Sequence, residues 1–373
     1  MLRKCSEYMK TKILNTISLF FKPIIKVLKM YKNKLEKSMH QRFVLFGILL
    51  ALVPLLSNLD IIRYSTVSLV AYIVIFTIVA LGLNILLGFS GLMSLGTAGF
   101  VGFGAYGVVY FSSLGLPYEI SILATLIISS IIGLFIGLFS LKVEGVYLAI
   151  STLAVGEIFS QIFRRVTWFT NAFGGVHYKY PLLFGVVQLN RNTTFILLVI
   201  MMVLMMFVMY NLTNSKTGRA LMAMSRSNSS AQAMGVSISK YRLLAFLIAT
   251  LYATIGGILY ASFYRYVQPL DWNLMLTLLI LAMVVVGGIK SIFGTFIGVF
   301  VIYGVPSLWL EELFSSINGV AYIFSGVLII VVIMYYPYGF IYVIQDTKKL
   351  YHKFKNGIEN RKNKKKNKVE NNV

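Results

Sequence analysis

The sequence predicts an all-α, polytopic integral membrane protein with about ten transmembrane helices and both termini in the cytoplasm. Three observations lead there. Hydrophobic residues make up 58% of the chain and charged residues 12%, about half the charged share of a soluble domain. Apolar runs of roughly spanning length recur along the chain. The cations collect at the ends: of 34 Lys and Arg, 11 lie in residues 1–42 and 10 in residues 342–373. The net charge of +22 then reads as the cytoplasmic bias of Lys and Arg, reinforced by attraction to anionic headgroups. Membrane lipid is an expected partner. Nucleic acid is not, because the cations do not interleave with stacking aromatics on a folded surface.

Three segments follow from this distribution. Residues 1–42 form a basic amphipathic segment in which Ile13, Ile17, Phe20, Ile24, Val27 and Leu28 recur at helical spacing around a kink at Pro23. Residues 43–341 form the membrane domain. Residues 342–373 are a basic tail, expected to be disordered. Within the membrane domain, apolar runs fall at 43–60, 67–88, 99–114, 121–141, 145–162, 194–213, 241–263, 272–289, 295–311 and 318–341. The runs at 99–114 and 145–162 are short and carry glycine, as tilted or broken segments do. An even count keeps both ends on one side. It puts Lys216, Arg219, Arg226, Lys240 and Lys290 inside, and Glu119, Glu311 and Glu312 outside. The loop at 163–193, with Arg164, Arg165, Lys179 and Arg191, runs against the charge rule, although cations at a helix end can snorkel.

Several chemistries are not expected. Cys5 is a lone cysteine, and His40, His177 and His352 fit no ligand spacing, so neither a metal nor a cofactor is expected. Gly102, Gly104 and Gly107 match a G-x-G-x-x-G pattern, but inside an apolar run rather than between a strand and a helix. They read as helix-packing glycines, as do the pairs Gly133/Gly137 and Gly294/Gly298. No phosphate-cradling G-x-x-x-x-G-K-[ST] occurs, so any ATP that drives the chain is bound by a partner. No local signature assembles a catalytic triad, and the chain is not expected to be an enzyme.

Two stretches carry the functional candidates. In "NILLGFSGLMSLGT" (84–97) the polar residues Asn84, Ser94 and Thr97 interleave with glycines. Such a stretch is either a cytoplasmic turn or a broken helix facing a translocation path. Glu157, in an otherwise apolar run, either pairs with Arg164 or Arg165 or faces the path, with Gln161 on its helical face. Asp271 is expected in an outer loop with Arg265. The second stretch, "SKTGRALMAMSRSNSSAQAMGVSISKYR" (215–242), has five cations and no acid. Ala220, Leu221, Met224, Ala231 and Met234 fit one apolar stripe, "SRSNSS" interrupts it, and Gly235 stands where a helix would end. A helix, turn and helix on the cytoplasmic face are expected, suited to docking a partner.

Four segments, "GLNILLGFSGLMSLGTAGFVGFGAYG" (82–107), "GVYLAISTLAVGEIF" (145–159), "GRALMAMSRSNSSAQAMGVSISKYRLLAF" (218–246) and "LAMVVVGGIKSIFGTFIG" (281–298), closely resemble the LivM-type permease subunits of branched-chain amino-acid ABC importers. The resemblance runs in order over about residues 67–341. It implies a non-catalytic subunit of the bacterial plasma membrane, paired with a second related permease chain, two cytoplasmic ATP-binding subunits and an extracytoplasmic solute-binding protein. By the match, Arg219, Ala223, Ala231 and Gly235 carry ATPase docking. The family usually has glutamates where this chain has Arg226 and Asn228, and commonly a histidine where this chain has Thr97. Transport of a small amino acid along a path that includes Asn84, Ser94, Thr97 and Glu157 is the expected function. A gradient-driven secondary transporter, or an ABC permease for another small polar solute, is the alternative.

Overall fold

The computed structural model describes residues 39–59, 63–143 and 145–307, with single helical positions at 323–324, 326–327, 330 and 334. The basic N-terminal segment up to residue 38, the C-terminal tail and most of the tenth apolar run lie outside the described residues. Residues up to Leu50 form one unit and those from Ala51 onward another. The first contains most of helix α1 (Met39–Ala51). Helix α2 (Val53–Asn58) follows, with a proline in its first turn, where the missing N–H costs nothing. By length and apolarity Met39–Asn58 suffices to cross a bilayer.

The second unit is a helical bundle: α3 (Tyr64–Asn84), α4 (Thr97–Ser113), α5 (Tyr118–Ser140), α6 (Val146–Arg165), α7 (Thr167–Thr170), α8 (Arg191–Asn214), α9 (Lys216–Arg226), α10 (Asn228–Ala233), α11 (Ile238–Tyr264), α12 (Leu274–Gly287) and α13 (Ile292–Val299). As far as the described residues extend, the first nine apolar runs of the sequence fall on helices. Among the described residues six helical stretches are long and apolar enough to span: Met39–Asn58, Tyr64–Phe89, Tyr118–Phe139, Val146–Arg165, Arg191–Asn214 and Ile238–Tyr264. The others are short: α4 has 17 residues, α12 has 14, and α13 reaches Gly304 only through a π-helical turn.

Sequence decides which helices are central. α3 is apolar all round and buried almost continuously from Ile73 to Asn84, as a helix enclosed by others must be. α11 packs against α3, α4, α5 and α8. α5 instead exposes Leu123, Ile127, Ile131, Phe135 and Leu138, an apolar stripe that hydrocarbon solvates.

Side chains fix which helix ends lie together. Arg191, at the start of α8, donates to the Tyr64 carbonyl and to Ser68 Oγ at the start of α3. Tyr264, at the end of α11, donates to the Ser68 carbonyl at 2.8 Å. These three termini form one end of the bundle. It is dressed by two short antiparallel pairs, Val176–His177 with Tyr266–Val267 and Leu182–Leu183 with Val187–Gln188. Arg191 is thus spent on a helix-end clamp. The end of α3, the α12–α13 turn and the α9–α10 element form the opposite end.

α4 and α11 cross at Gly104 and Gly257. A Cβ at Gly257 would lie 1.9 Å from the Val101 carbonyl oxygen, and one at Gly104 would lie 2.2 Å from the Thr254 oxygen. Backbone rather than a yielding side chain stands in the way. Ala in place of Gly normally gains about 0.5–1 kcal/mol in a helix interior, but overpacking costs about 1–3 kcal/mol. Gly257→Ala is therefore expected to lower the melting temperature of the solubilised chain in fluorescence-detected size exclusion. An unchanged or raised melting temperature would contradict this crossing.

Candidate functional site

The stretch 84–97 is both turn and break. Past Asn84 the α3 helix continues as a π-turn over Ile85–Phe89. The chain reverses at Gly91, whose φ of +73° suits glycine. Residues 92–96 then run back beside α6 without helical hydrogen bonds before α4 begins at Thr97. Neighbouring helices answer the freed backbone groups. Thr152 Oγ1 on α6 accepts from the Leu95 N–H at 2.9 Å, and Thr277 Oγ1 on α12 accepts from the Ala98 N–H at 3.2 Å. Thr152 lies about 9 Å along α6 from its start at ~1.5 Å per residue, so this irregular segment enters the bundle.

Asn84 does related work at the other break. Its side chain is fully buried. Nδ2 donates to Thr295 Oγ1 at 2.8 Å and to the Ser291 carbonyl at 3.3 Å, while Oδ1 accepts from the Lys290 N–H at 2.9 Å. All its polar capacity toward the α12–α13 turn is engaged, and it fastens that turn to the end of α3. The structure thereby separates Asn84 from the other residues of the stretch.

Ser94, in the returning segment, and Thr97, the first residue of α4, are buried, and Ser94 Oγ accepts from the Gly96 N–H at 3.5 Å. Glu157 lies nearby, on the exposed face of α6. It accepts from Gln161 at 2.8 Å. Among the described residues it makes no ion pair with Arg164 or Arg165. With Ala98, Gly99, Trp272 and Thr277 it lines a niche of about 10 Å³, room for about one water. Ser94, the residues flanking Thr97, and Glu157 therefore share one neighbourhood with Thr152 and Thr277.

Trp272 also lines a larger cavity of about 330 Å³. Asp271 lines it, in a single 3₁₀ turn before α12. Its carboxylate accepts from Gln268 at 2.7 Å and from the Tyr260 hydroxyl at 3.4 Å. Burial pushes this carboxyl above the ordinary carboxylate value, and the two hydrogen bonds offset part of the rise. Arg265, in the same α11–α12 connection, lies over the Tyr180 ring at 3.9 Å.

At the opposite end, α9 and α10 connect α8 to α11. Ser215 caps α9, accepting from the Gly218 N–H at 3.4 Å, and Ser227 caps α10, accepting from the Ser230 N–H at 3.2 Å. At the end of α10 the Gly235 N–H reaches the Gln232 carbonyl at 2.9 Å, and the Val236 N–H reaches the Ala231 carbonyl at 3.0 Å. With φ of +81° at Gly235, this is a Schellman stop. Ala220, Leu221, Met224 and Ala231 are buried, whereas Met234 is 70% exposed. Met234 thus leaves the stripe on which its spacing places it. Ala223 and Asn228 are half-buried, and Lys216, Arg219, Arg226, Gly235 and Lys240 face outward. Arg242 alone of the five cations is buried. The α3–α4 turn lies against this element: a Cβ on Gly91 would stand 3.2 Å from Ser225 Cα.

The family model described as branched-chain amino acid transport system / permease component matches residues 65–333. The chain belongs to this permease family. Its relatives include the protein named high-affinity branched-chain amino acid transport system permease LivM in Salmonella typhimurium. The two are 26% identical over 312 residues, covering 77% of this chain and 72% of the relative. The LivM protein of Escherichia coli matches with the same identity and coverage. A probable branched-chain amino acid transport permease LivH of Methanocaldococcus jannaschii is 28% identical over 214 residues, covering 54% of this chain and 64% of that protein. No solved structure matches. With its apolar helices, the permease is a multi-pass protein of the bacterial plasma membrane.

Sequence reasoning missed Thr277, Trp272 and Tyr260. Each acquires its place from a segment remote in sequence, and a single Thr or Tyr in an apolar run gives no signal of that. The Asn84 clip makes a sharp expectation. Asn84→Ala strands the Lys290 N–H and is expected to cost about 1–3 kcal/mol in thermal unfolding of the solubilised permease. Asn84→Asp keeps an acceptor for Lys290 but sets an anion against the Ser291 carbonyl, so it should be no better tolerated than Asn84→Ala. A near-neutral Asn84→Asp would show that the amide donor is not used.

Proposed function

We propose that the permease is the transmembrane subunit of an ATP-binding-cassette importer that moves small amino acids, branched-chain ones among them, by alternating access. Its partners are two cytoplasmic ATP-binding subunits that hydrolyse the ATP, a second related permease chain and an extracytoplasmic solute-binding protein. The names of its relatives supply the substrate class. The observation that carries the proposal is the α9–α10 element. Two short helices are separately capped, stopped at Gly235, and seated by Ala220, Leu221, Met224 and Ala231 against the bundle. Motion imposed on them passes directly into α8, α11 and the α3–α4 turn.

Within this element the docking set divides by geometry. Arg219, Arg226 and the exposed Met234 present the outward surface. Ala223 and Asn228 border it, Ala231 anchors α10, and Gly235 ends it. Four outward cations without an acid call for an ATPase surface that is acidic where it meets them. For the path, Ser94, Thr97 and Glu157 line the α4–α6 face, and Asn84 holds the turn that shapes its inner end. A carboxylate on the outer face of a span is costly in lipid. Glu157 and Gln161 therefore face the second permease chain or the water between the two chains.

Co-expression with the ATP-binding subunits tests the docking role. Gly235→Val cannot hold the left-handed turn without strain of about 1–2 kcal/mol and is expected to insert normally yet lose co-purifying ATPase. Gly235→Asn, whose side chain tolerates that conformation, should retain most of it. Arg226→Glu should weaken association at low salt more than at high salt. Undiminished ATPase recovery with both Gly235→Val and Arg226→Glu would reject the assignment.

A further inference from the structure

The cavity behind Asp271 is built from three distant parts of the permease: Tyr72 on α3, Tyr260 near the end of α11, and Tyr303 in the π-turn after α13. Tyr72 and Tyr303 stack with centroids 3.7 Å apart, and Tyr260 meets Trp272 edge-on at 5.1 Å. Leu276, Leu279 and Met283 supply an apolar wall. The volume of about 330 Å³ lies within the usual range of small-ligand pockets, roughly 300–1,000 Å³. One feature of its walls is unanswered among the described residues: the Asp271 carboxylate, which accepts from Gln268 and Tyr260, has no cation within ion-pairing distance.

We infer that this cavity binds a primary ammonium carried on a small apolar body, and that its natural occupant is an amino acid. A half-buried carboxylate without a counter-ion favours a cation. Aromatic rings around it favour an organic cation over a metal ion, because their quadrupoles attract ammonium. A single carboxylate among rings offers too few oxygens for calcium or magnesium. The apolar wall suits an aliphatic side chain. Trp272 also lines the niche that contains Glu157. Trp272 therefore borders both the chamber at the Asp271 end and the niche beside the α4–α6 face. The choice of an amino acid rests on the importer reading, whereas the preference for ammonium rests on the cavity alone.

The full chain in lipid nanodiscs tests this without ATP or partners. Equilibrium dialysis would compare L-leucine, 3-methylbutylamine, which keeps only the ammonium, and 4-methylpentanoate, which keeps only the carboxylate. L-Leucine and the amine are expected to bind, and 4-methylpentanoate to bind at least about tenfold more weakly. Asp271→Asn should weaken both ammonium ligands by about tenfold or more. Tyr260→Phe, which removes one hydrogen bond to Asp271 and keeps the ring, should weaken them less; it serves as the reporting variant if Asp271→Asn does not fold. Binding of 4-methylpentanoate as tight as that of leucine, or leucine binding unchanged in Asp271→Asn, would overturn the proposal. Phosphatidylethanolamine offers the same ammonium. Leucine binding equal in nanodiscs with and without this lipid supports the free amino acid, and binding abolished by the lipid would overturn that assignment. Failure of ATPase association would leave these results intact, so the two readings fail separately.

Discussion

Backbone polar groups inside a bilayer must find partners within the protein, and the middle of this bundle is arranged around that constraint. The long helices satisfy their own backbones. The breaks do not. At Leu95 and Ala98 the missing acceptors are Thr152 and Thr277, and at Lys290 and Ser291 the partner is Asn84. A hydroxyl or amide on an intact helix thus stabilises each irregular stretch on a neighbour. Short helices α4, α12 and α13 become possible only because α3 and α6, together with α12 itself, carry those groups.

The same economy divides the two ends by chemistry. One end closes with an arginine clamp, two short strand pairs and a carboxylate beside aromatic rings. The other presents capped short helices, outward cations and a glycine stop. Between them the α4–α6 face holds the polar side chains that the sequence alone groups with Asn84. The Asp271 cavity and the Glu157 niche share Trp272 as a lining residue. A motor on the α9–α10 element would act on the α3–α4 turn, whose returning limb forms one wall of that niche.

Much of this is legible in the chain itself. Apolar run length marks nine helices, because hydrocarbon imposes a length as well as a composition. The α9–α10 element is legible because serines interrupt an apolar stripe and Gly235 stands at its end. Met234 breaks the pattern because the Schellman turn rotates it outward just where periodicity would bury it. Asn84 shows the limit of local reading. A polar residue beside glycines in a membrane segment looks like a path residue, yet its partners lie more than 200 positions away. Asp271 is visible as a loop acid, but its aromatic surroundings arise only when α3, α11 and the end of α13 converge.

The central claim is that the α9–α10 element and the strand-bearing end lie on opposite faces of one membrane. Cysteine labelling in intact cells tests it most directly. In a Cys5→Ser background, Val186→Cys, at a position 82% exposed, should react with a membrane-impermeant maleimide. Ser229→Cys, on the exposed surface of α10, should react only after permeabilisation. Labelling of both from the same side would contradict the account.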